Sequence, residues 1–336
     1  MYSLLRSALF RLSPETAHHF SLKSLRSLDQ LGLLKHLVKA PTPQPVTVMG
    51  LDFPNRVGLA AGLDKDGEYI DALAALGFGC IEIGTVTPRP QAGNPQPRLF
   101  RLPQSEAIIN RMGFNSKGVD YLVHQVAQMK YQGILGINIG KNFDTPVENA
   151  IDDYLIGIQR VYAYTNYITV NISSPNTPGL RTLQYGDELQ KLLAALKVKQ
   201  MELADLFQYY VPIAIKIAPD LDSDEIAAMS EVFLDQKIDG VIATNTTLAR
   251  DAVQGQQYAQ EQGGLSGRPV TQQSTYVIQQ LQQHLAGQIP IIGVVGISST
   301  QDAQDKLDAG ASLLQIYTGF VYQGMDLIQQ CQQAKK

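Results

Sequence analysis

Eight short apolar segments recur between residues 57 and 317, and most of them are separated by stretches long enough for a helix. Continuous apolar strands that alternate with helices are typical of a parallel sheet covered on both faces. Eight of them in a chain of 336 residues predict a closed (β/α)₈ barrel of the TIM type, an α/β fold that needs about 250 residues. The predicted strands are Val57–Ala61, Cys80–Gly84, Ile134–Ile139, Tyr167–Ile172, Ile213–Ile217, Gly240–Ala243, Ile291–Val295 and Leu313–Tyr317.

The residues that end or follow these segments carry polar side chains. Asn138, Asn171 and Asn245 stand at strand ends, as do Lys65 and Lys216. Barrel enzymes place their sites at the carboxyl ends of the strands. Amide side chains offer both donors and acceptors, which suits a small, flat, amide-rich ligand. The sequence therefore predicts a binding site at the carboxyl-terminal mouth of the barrel.

The segment Asn171–Arg181 changes abruptly from an apolar strand to hydroxyls, amides and prolines. Pro175 and Pro178 restrict the backbone, so the polar side chains between them are held in place. The same residue types are also common in plain surface turns. The segment alone fits either a reactive loop or an ordinary turn, and its position after a barrel strand favours the first.

Glycines after the last two strands indicate a phosphate site. Gly296 follows the seventh strand and Thr318-Gly319 follows the eighth, where this fold usually binds phosphate. The segment Gly263–Gly267 adds a second flexible, amide-rich loop. Gly136–Asn142 fails the P-loop spacing, and no G-x-G-x-x-G follows a strand, so neither a P-loop nor a Rossmann dinucleotide site is supported.

Lys216 lies at the end of the otherwise apolar strand Ile213–Ile217. A buried ammonium is costly unless a negative group meets it. A reduced, anionic flavin ring would supply that charge. A structural carboxylate would do so equally well, and the residues leave both alternatives open.

Composition and charge exclude several classes of protein. The formal net charge of -4 argues against non-specific nucleic-acid binding. The two cysteines, Cys80 and Cys331, argue against a disulfide framework and fit a reducing, cytosolic compartment. The five histidines have no metal-ligand spacing, and no metal site is predicted. No apolar stretch reaches the roughly 18 residues that a membrane-spanning helix needs.

The first 40 residues form a separate, basic region. They contain six basic and two acidic residues, a net +4, which leaves 21 basic and 29 acidic residues, a net -8, for the rest. Leu5, Leu9 and Leu12 have helical spacing, and Ser13-Pro14 is a helix start signal. We interpret residues 1–40 as an amphipathic helical extension, 41–46 as a Pro-rich linker and 47–336 as the barrel. The extension would lie on a membrane surface or pack on the barrel as an ordinary helical hairpin.

The segment from Thr87 to Gly118 is a long excursion between the second and third strands. Loops of this length in compact domains are usually functional or disordered. Interleaved Leu, Phe and Ile residues predict an ordered loop that folds over the mouth.

Six motifs in this chain resemble those of the dihydroorotate dehydrogenases, and specifically the class 2, quinone-linked, membrane-associated branch. The resemblance runs from the first residue to about Tyr322. Class 1 enzymes carry a cysteine at the base position, where this chain has Ser174, and lack the N-terminal extension. The motifs are Ala60–Lys65, Asn110–Phe114, Asn171–Thr177, Ile215–Asp220, Thr244–Thr246 and Gly264–Gly267.

The resemblance implies an FMN cofactor and assigns residues to bind it. The FMN ligands would be Ala61, Gly62, Lys65, Thr85, Asn138, Asn171, Lys216, Thr244, Gly267, Gly296, Tyr317 and Thr318. Dihydroorotate would be bound by Lys65, Asn110, Arg111, Met112, Gly113, Phe114, Asn171, Asn176, Asn245 and Thr246. Ser174 would remove the proton from C5 while C6 delivers hydride to flavin N5, with Thr177 as relay and Phe114 as shield.

The resemblance also implies how electrons leave the flavin. A membrane quinone would enter between the N-terminal helices and the barrel, near His18, Arg101 and Tyr317. The enzyme would act in pyrimidine biosynthesis. It would be a monomer, bound peripherally to the cytoplasmic face of a bacterial inner membrane. The alternatives are another FMN-dependent barrel oxidoreductase, a non-catalytic membrane-surface binding protein and, more weakly, a phosphosugar isomerase, which would need a Glu or His base at the mouth.

Overall fold

A computed structural model describes residues 2–38 and 43–335 of the chain. The predicted linker, 41–46, therefore lies partly outside the described residues. The strands are β1 (Val46–Val48), β2 (Leu51–Phe53), β3 (Val57–Leu59), β4 (Cys80–Val86), β5 (Leu99–Leu102), β6 (Ala107–Asn110), β7 (Ile134–Ile139), β8 (Tyr167–Asn171), β9 (Ile213–Ile217), β10 (Gly240–Ala243), β11 (Gly264–Gly267), β12 (Ile291–Val294) and β13 (Leu313–Ile316).

The helices lie at the N-terminus and between the strands. They are α1 (Tyr2–Leu9), α2 (Pro14–Gln30), α3 (Leu34–Leu37), α4 (Ile70–Ala74), α5 (Val119–Val126), α6 (Ala150–Val161), α7 (Gly186–Phe207), α8 (Ser223–Asp235), α9 (Thr271–Leu285), α10 (Thr300–Asp308), α11 (Thr318–Gln323) and α12 (Asp326–Gln332).

Eight parallel strands close into a barrel in the order β3-β4-β7-β8-β9-β10-β12-β13 and back to β3. The predicted (β/α)₈ fold is confirmed. Each barrel strand corresponds to one of the eight apolar segments, although four segments continue one or two residues past the strand into a loop. Nearly every strand residue is buried, because helices cover the outer face and side chains fill the interior.

The long excursion is ordered, but it is not only a loop. Within it, β5 and β6 form an antiparallel hairpin, and β6 also pairs with β11 from a distant part of the chain. We call these three strands the rim sheet. Its apolar face packs Phe100, Ile109 and Leu265 into a core of its own. The sequence prediction missed this sheet, whose third strand pairs with β6 from more than 150 residues further along the chain.

The N-terminal helices begin where the sequence indicated. The Ser13 hydroxyl accepts a hydrogen bond from the Thr16 amide at 3.3 Å and Pro14 occupies the first turn of α2. Helix α1 is tied to α11, because the Tyr2 hydroxyl donates to the Val321 carbonyl at 2.7 Å and Arg6 donates to the Tyr322 carbonyl at 2.8 Å.

The N-terminal region exposes several large apolar side chains. They include Leu4, Leu5, Phe20, Leu33 and Leu37. Among the described residues, none of the helices has the length and apolar character needed to cross a bilayer.

Candidate active site

A cavity opens at the carboxyl-terminal ends of the barrel strands, bounded by the barrel, the rim sheet and α2. The predicted site residues that line it come from the carboxyl ends of barrel strands, from the end of β6, from the loops that follow these strands, and from α2 and α11. They are His18, Ala61, Gly62, Lys65, Thr85, Asn110, Met112, Gly113, Phe114, Asn171, Ser174, Asn176, Lys216, Thr244, Asn245, Thr246, Gly296, Tyr317 and Thr318. The fold thus brings together residues that are separated by up to 300 positions in the chain.

Five predicted site residues do not line the cavity. Asn138 and Gly267 each contact a residue of the cavity wall: Asn138 accepts a hydrogen bond from Thr85, and Gly267 packs against Thr318. Arg111 turns away to form an ion pair with Glu261 at 2.6 Å, and it donates to the Pro97 carbonyl. Thr177 is buried in the Ser174 loop, and no hydrogen bond joins the two side chains within the described structure.

Arg101, the fifth, holds the N-terminal helix. Its guanidinium donates to the carbonyls of Leu9 and Leu12, and its central carbon lies 4.4 Å from the centre of the Phe10 ring. His18, by contrast, faces the cavity. Burial lowers the pKa of His18 to about 4, with help from the positive charges of His19 and Lys65, so the imidazole is neutral at ordinary pH.

A chain of hydrogen bonds fixes the amides at the cavity floor. The buried Glu82 accepts from the Asn138 side-chain amide at 2.8 Å, so the Asn138 oxygen points upward. That oxygen accepts from the Thr85 hydroxyl at 2.6 Å, and the Thr85 oxygen in turn accepts from Asn171 at 3.0 Å. Because a carboxylate can only accept, it sets the orientation of every group above it.

Two lysines approach the cavity without a bonded partner. Among the described residues, none forms a hydrogen bond or ion pair with the ammonium group of Lys65 or Lys216. Burial lowers the pKa of Lys65 to about 8, although Asp66 opposes the shift. Burial also lowers the pKa of Lys216, and the Glu82 carboxylate opposes that shift from below. Two ammonium groups left unpaired at one cavity favour an anionic ligand.

Glycines form a close-fitting corner on the opposite side. A Cβ on Gly296 would lie 2.4 Å from the Thr271 Cα, and one on Gly319 would lie 2.0 Å from the Ile297 carbonyl oxygen. Gly296 also has a φ of +74°, a conformation that favours glycine. The Thr318 and Ser266 hydroxyls meet 2.8 Å apart in the same corner. The glycines here are required by tight internal packing, and the hydroxyls beside them are groups that can bind a phosphate.

Ser174 lies on the loop that follows β8 and is 5 % exposed. Its oxygen accepts a hydrogen bond from the Asn176 amide at 3.3 Å. The Asn176 side chain donates to the Asn110 carbonyl at 3.1 Å, which links this loop to the end of the rim sheet. Phe114 is also buried and lines the same cavity. Its ring needs the space that Gly140 leaves, because a Cβ there would lie 3.0 Å from the ring.

Sequence reasoning missed the polar residues inside the barrel. Glu82 also accepts from Tyr167, Thr169 and Gln315, and Gln315 itself lines the cavity. Glu82 interrupts the apolar segment Cys80–Gly84 just as Lys216 interrupts its own segment. A charged residue within a predicted barrel strand was therefore a usable signal at both positions.

The family model described as "Dihydroorotate dehydrogenase" matches residues 44–334 of the chain. A protein of Cellvibrio japonicus named "Dihydroorotate dehydrogenase (quinone)" is 61% identical over 329 residues, which cover 98% of this chain and 96% of that protein. A protein of Acinetobacter baylyi with the same name is 58% identical over 331 residues, 98% of either chain.

Solved structures show the same similarity. The crystal structure of DHODH from Eimeria tenella in complex with ferulenol superposes with a TM-score of 0.86 at 36% identity. The match covers 95% of this chain and 90% of the parasite chain.

Proposed function

The chain belongs to the dihydroorotate dehydrogenase family, and we propose that the cavity at the barrel mouth is its active site, with FMN as the resident cofactor. The enzyme oxidises dihydroorotate to orotate in pyrimidine biosynthesis and uses a quinone as electron acceptor. The observation that carries the proposal is the pair of unpaired lysines, Lys65 and Lys216, in a cavity with a glycine-lined anion corner.

The residues present fit FMN. The phosphate would be held in the corner formed by Gly296, Thr318 and Gly319, where the Thr318 and Ser266 hydroxyls face the cavity. The amide floor and Lys216, which line the same cavity, would hold the isoalloxazine ring. When bound, FMN accepts a hydride from the substrate and passes the electrons on to the quinone.

Dihydroorotate is bound between the flavin and the loops above it. Its carboxylate attracts Lys65, and its cyclic amide edges pair with Asn110, Asn176, Asn245 and Thr246. Asn245 is held for this role, because its side chain donates to the Ser173 hydroxyl at 3.1 Å and accepts from the Thr246 amide at 2.8 Å. Met112, Gly113 and Phe114 close the site around the ring.

Ser174 takes the proton from substrate carbon C5. Its position on a cavity-facing loop supports this role, and its burial keeps bulk water away. A hydroxyl is a weak base, so it needs a neighbour that receives its proton. Thr177, in the same turn, is the proposed relay, and a water joins the two side chains.

The N-terminal helices provide the quinone route and the membrane contact. Neutral His18, on α2, lies between the outer surface and the flavin cavity. Arg101 supports the route by fixing α1, and Tyr317 closes it at the flavin edge. The exposed leucines insert into the cytoplasmic face of a bacterial inner membrane, and the enzyme works there as a peripheral monomer.

Anaerobic titration of the purified protein tests the function. We expect a yellow protein whose flavin absorbance is bleached by dihydroorotate and restored by a soluble quinone. Analysis of the released cofactor by mass should give FMN. A colourless protein, or a yellow one that dihydroorotate leaves oxidised, would contradict the proposal.

Membrane contact is tested separately with the double variant Leu4→Glu/Leu5→Glu. We expect it to lose sedimentation with phospholipid vesicles while dihydroorotate still bleaches its flavin. The matched control, Leu206→Glu, changes an exposed leucine on α7 and should still sediment. Equal sedimentation of all three proteins would rule out the leucines of α1 as the membrane contact.

A further inference from the structure

Arg181 joins two loops of the active site, although it lines no part of the cavity. It lies in a single helical turn, Leu180–Gln184, at the end of the loop that carries Ser174. Its Nε donates to the Ser173 carbonyl at 3.1 Å and one terminal nitrogen donates to the Thr246 carbonyl at 3.0 Å. The other terminal nitrogen donates to Asp220 at 2.7 Å. Each nitrogen of the guanidinium therefore serves a different chain segment.

The two carbonyls belong to the parts of the site that must be aligned. The Ser173 carbonyl is part of the peptide that precedes Ser174, so a bond to it fixes the direction in which the Ser174 side chain leaves the backbone. The Thr246 carbonyl follows Asn245, which contacts Asn171 and Ser173 across the cavity. One planar side chain thus sets the separation between the base and the amide groups that bind the substrate.

Asp220 anchors this arrangement to the barrel. Its carboxylate accepts from Arg181, from the Thr247 hydroxyl, from the Leu248 amide at 3.2 Å and from Gln273 at 3.2 Å. Thr247 is also fixed from the other side, because it exchanges backbone hydrogen bonds of 3.0 and 2.8 Å with Leu265 of the rim sheet. The pair is about one-fifth exposed on the arginine side and one-quarter on the aspartate side, so water competes only partly for its bonds.

We propose that Arg181 is a positioning residue for the reductive half-reaction: it holds Ser174 in register with the substrate bound by Asn245 and Thr246. The proposal rests on the function given above. Lysine replaces it only poorly, because the three donors of an ammonium share one nitrogen and do not reproduce the planar guanidinium that reaches three separate acceptors. A misplacement of about 1 Å at a reacting group can cost roughly a hundredfold in rate.

The experiment measures the two half-reactions of the FMN-loaded enzyme separately, by stopped-flow absorbance. Arg181→Lys and Arg181→Met should slow bleaching by dihydroorotate by roughly 10- and 100-fold, while the rate of reoxidation by quinone and the FMN content stay within twofold of wild type. Arg160→Gln, which removes an exposed arginine paired with Asp120 on the barrel surface, is the matched control and should change neither rate. Asp220→Asn is the second variant, since it keeps the volume of the anchor while weakening its bond to Arg181.

A double-mutant cycle distinguishes positioning from general support of the fold. If Arg181 acts through Ser174, adding Arg181→Met to Ser174→Ala should slow bleaching by less than threefold more, because the aligned group is already gone. Multiplicative losses, or parallel losses in bleaching, reoxidation and FMN content, would overturn the proposal. Failure of dihydroorotate to bleach the wild-type enzyme would instead contradict the proposed function itself.

Discussion

Two lysines are buried in different regions of the barrel, and their ammonium groups differ in hydrogen-bond partners. Lys306, on α10 in the outer layer, is fully buried and donates to the hydroxyls of Ser274 at 2.6 Å and Thr275 at 3.2 Å. Lys216, at the mouth, is nearly as buried but has no bonded acceptor within the described part of the chain. Burial lowers the pKa of both side chains.

The difference lies in the hydrogen bonds and not in the burial. A buried donor that bonds to nearby oxygens has its hydrogen-bonding capacity satisfied by the fold. A buried donor that faces a cavity without an acceptor is satisfied only when a ligand binds. The Lys65 ammonium, like that of Lys216, has no acceptor among the described residues. The outer layer therefore supplies an internal control for experiments on the mouth.

The largest contrast is expected between two buried serines, Ser174 at the mouth and Ser274 in the outer layer. Ser174→Ala should slow bleaching of the flavin by dihydroorotate by roughly 10²–10⁴-fold, the usual contribution of a positioned base. FMN and orotate should still bind. Ser274→Ala should lower the melting temperature and leave the bleaching rate within twofold. Stopped-flow absorbance measures both, and a near-normal rate for Ser174→Ala would remove this serine from the mechanism.

The next contrast compares the lysines themselves. Lys216→Met should weaken FMN binding by roughly 10–100-fold, because a hydrogen bond to a charged group contributes about 1.5–3 kcal/mol. Lys306→Met should leave FMN affinity within twofold. Fluorescence titration of the apoproteins with FMN gives both constants. Equal FMN affinities for the two variants would show that the unpaired ammonium at the mouth is not a cofactor ligand.

A smaller, pH-dependent effect is expected at Lys65. Its pKa is lowered to about 8, so the ammonium proposed to bind the substrate carboxylate is lost as pH rises through that value. Orotate affinity should then fall by up to tenfold per pH unit above about pH 8. Orotate titrations of the flavin spectrum from pH 6.5 to 10 measure it. Lys65→Arg keeps its charge and should flatten the profile, and an unchanged fall in that variant would assign it to another group.

The smallest effect is expected on stability at Lys306. Its folded pKa of about 7 lies below its ordinary 10.5, so the unfolded chain binds more protons between these values. The free energy of unfolding therefore rises with pH across this window, by at most about 1.4 kcal/mol per pH unit. Below the window both states bind the proton, so Lys306 makes no pH-dependent contribution there. Wild type should gain melting temperature relative to Lys306→Met between pH 7 and 10. A constant difference would mean that Lys306 stays charged.

The sequence predicted the barrel well because its signal is local and repeated. Each strand is a continuous apolar segment, and the fold needs no information about distant pairing. The mouth residues were also predictable, since position in the chain after a strand determines position at the mouth. Asn171, Lys216 and Asn245 all line the cavity for this reason.

What the sequence could not supply depended on contacts between distant segments. The rim sheet needs β11 to pair with a hairpin far earlier in the chain. Arg111 follows β6 and Arg101 lies in β5, close to the mouth. Their side chains nevertheless bond elsewhere, Arg111 to Glu261 and Arg101 to the end of α1. Arg181 was visible in the Asn171–Arg181 segment, but its acceptors could be found only in three dimensions.

The rim sheet has a consequence for redesign of this scaffold. Its hairpin is inserted after β4, and its third strand is inserted after β10, on a different side of the barrel. Neither insertion can be exchanged alone without leaving an edge of unpaired backbone beside the mouth. Grafting new specificity from a homologous barrel therefore requires that both insertions be transplanted together, as a matched pair.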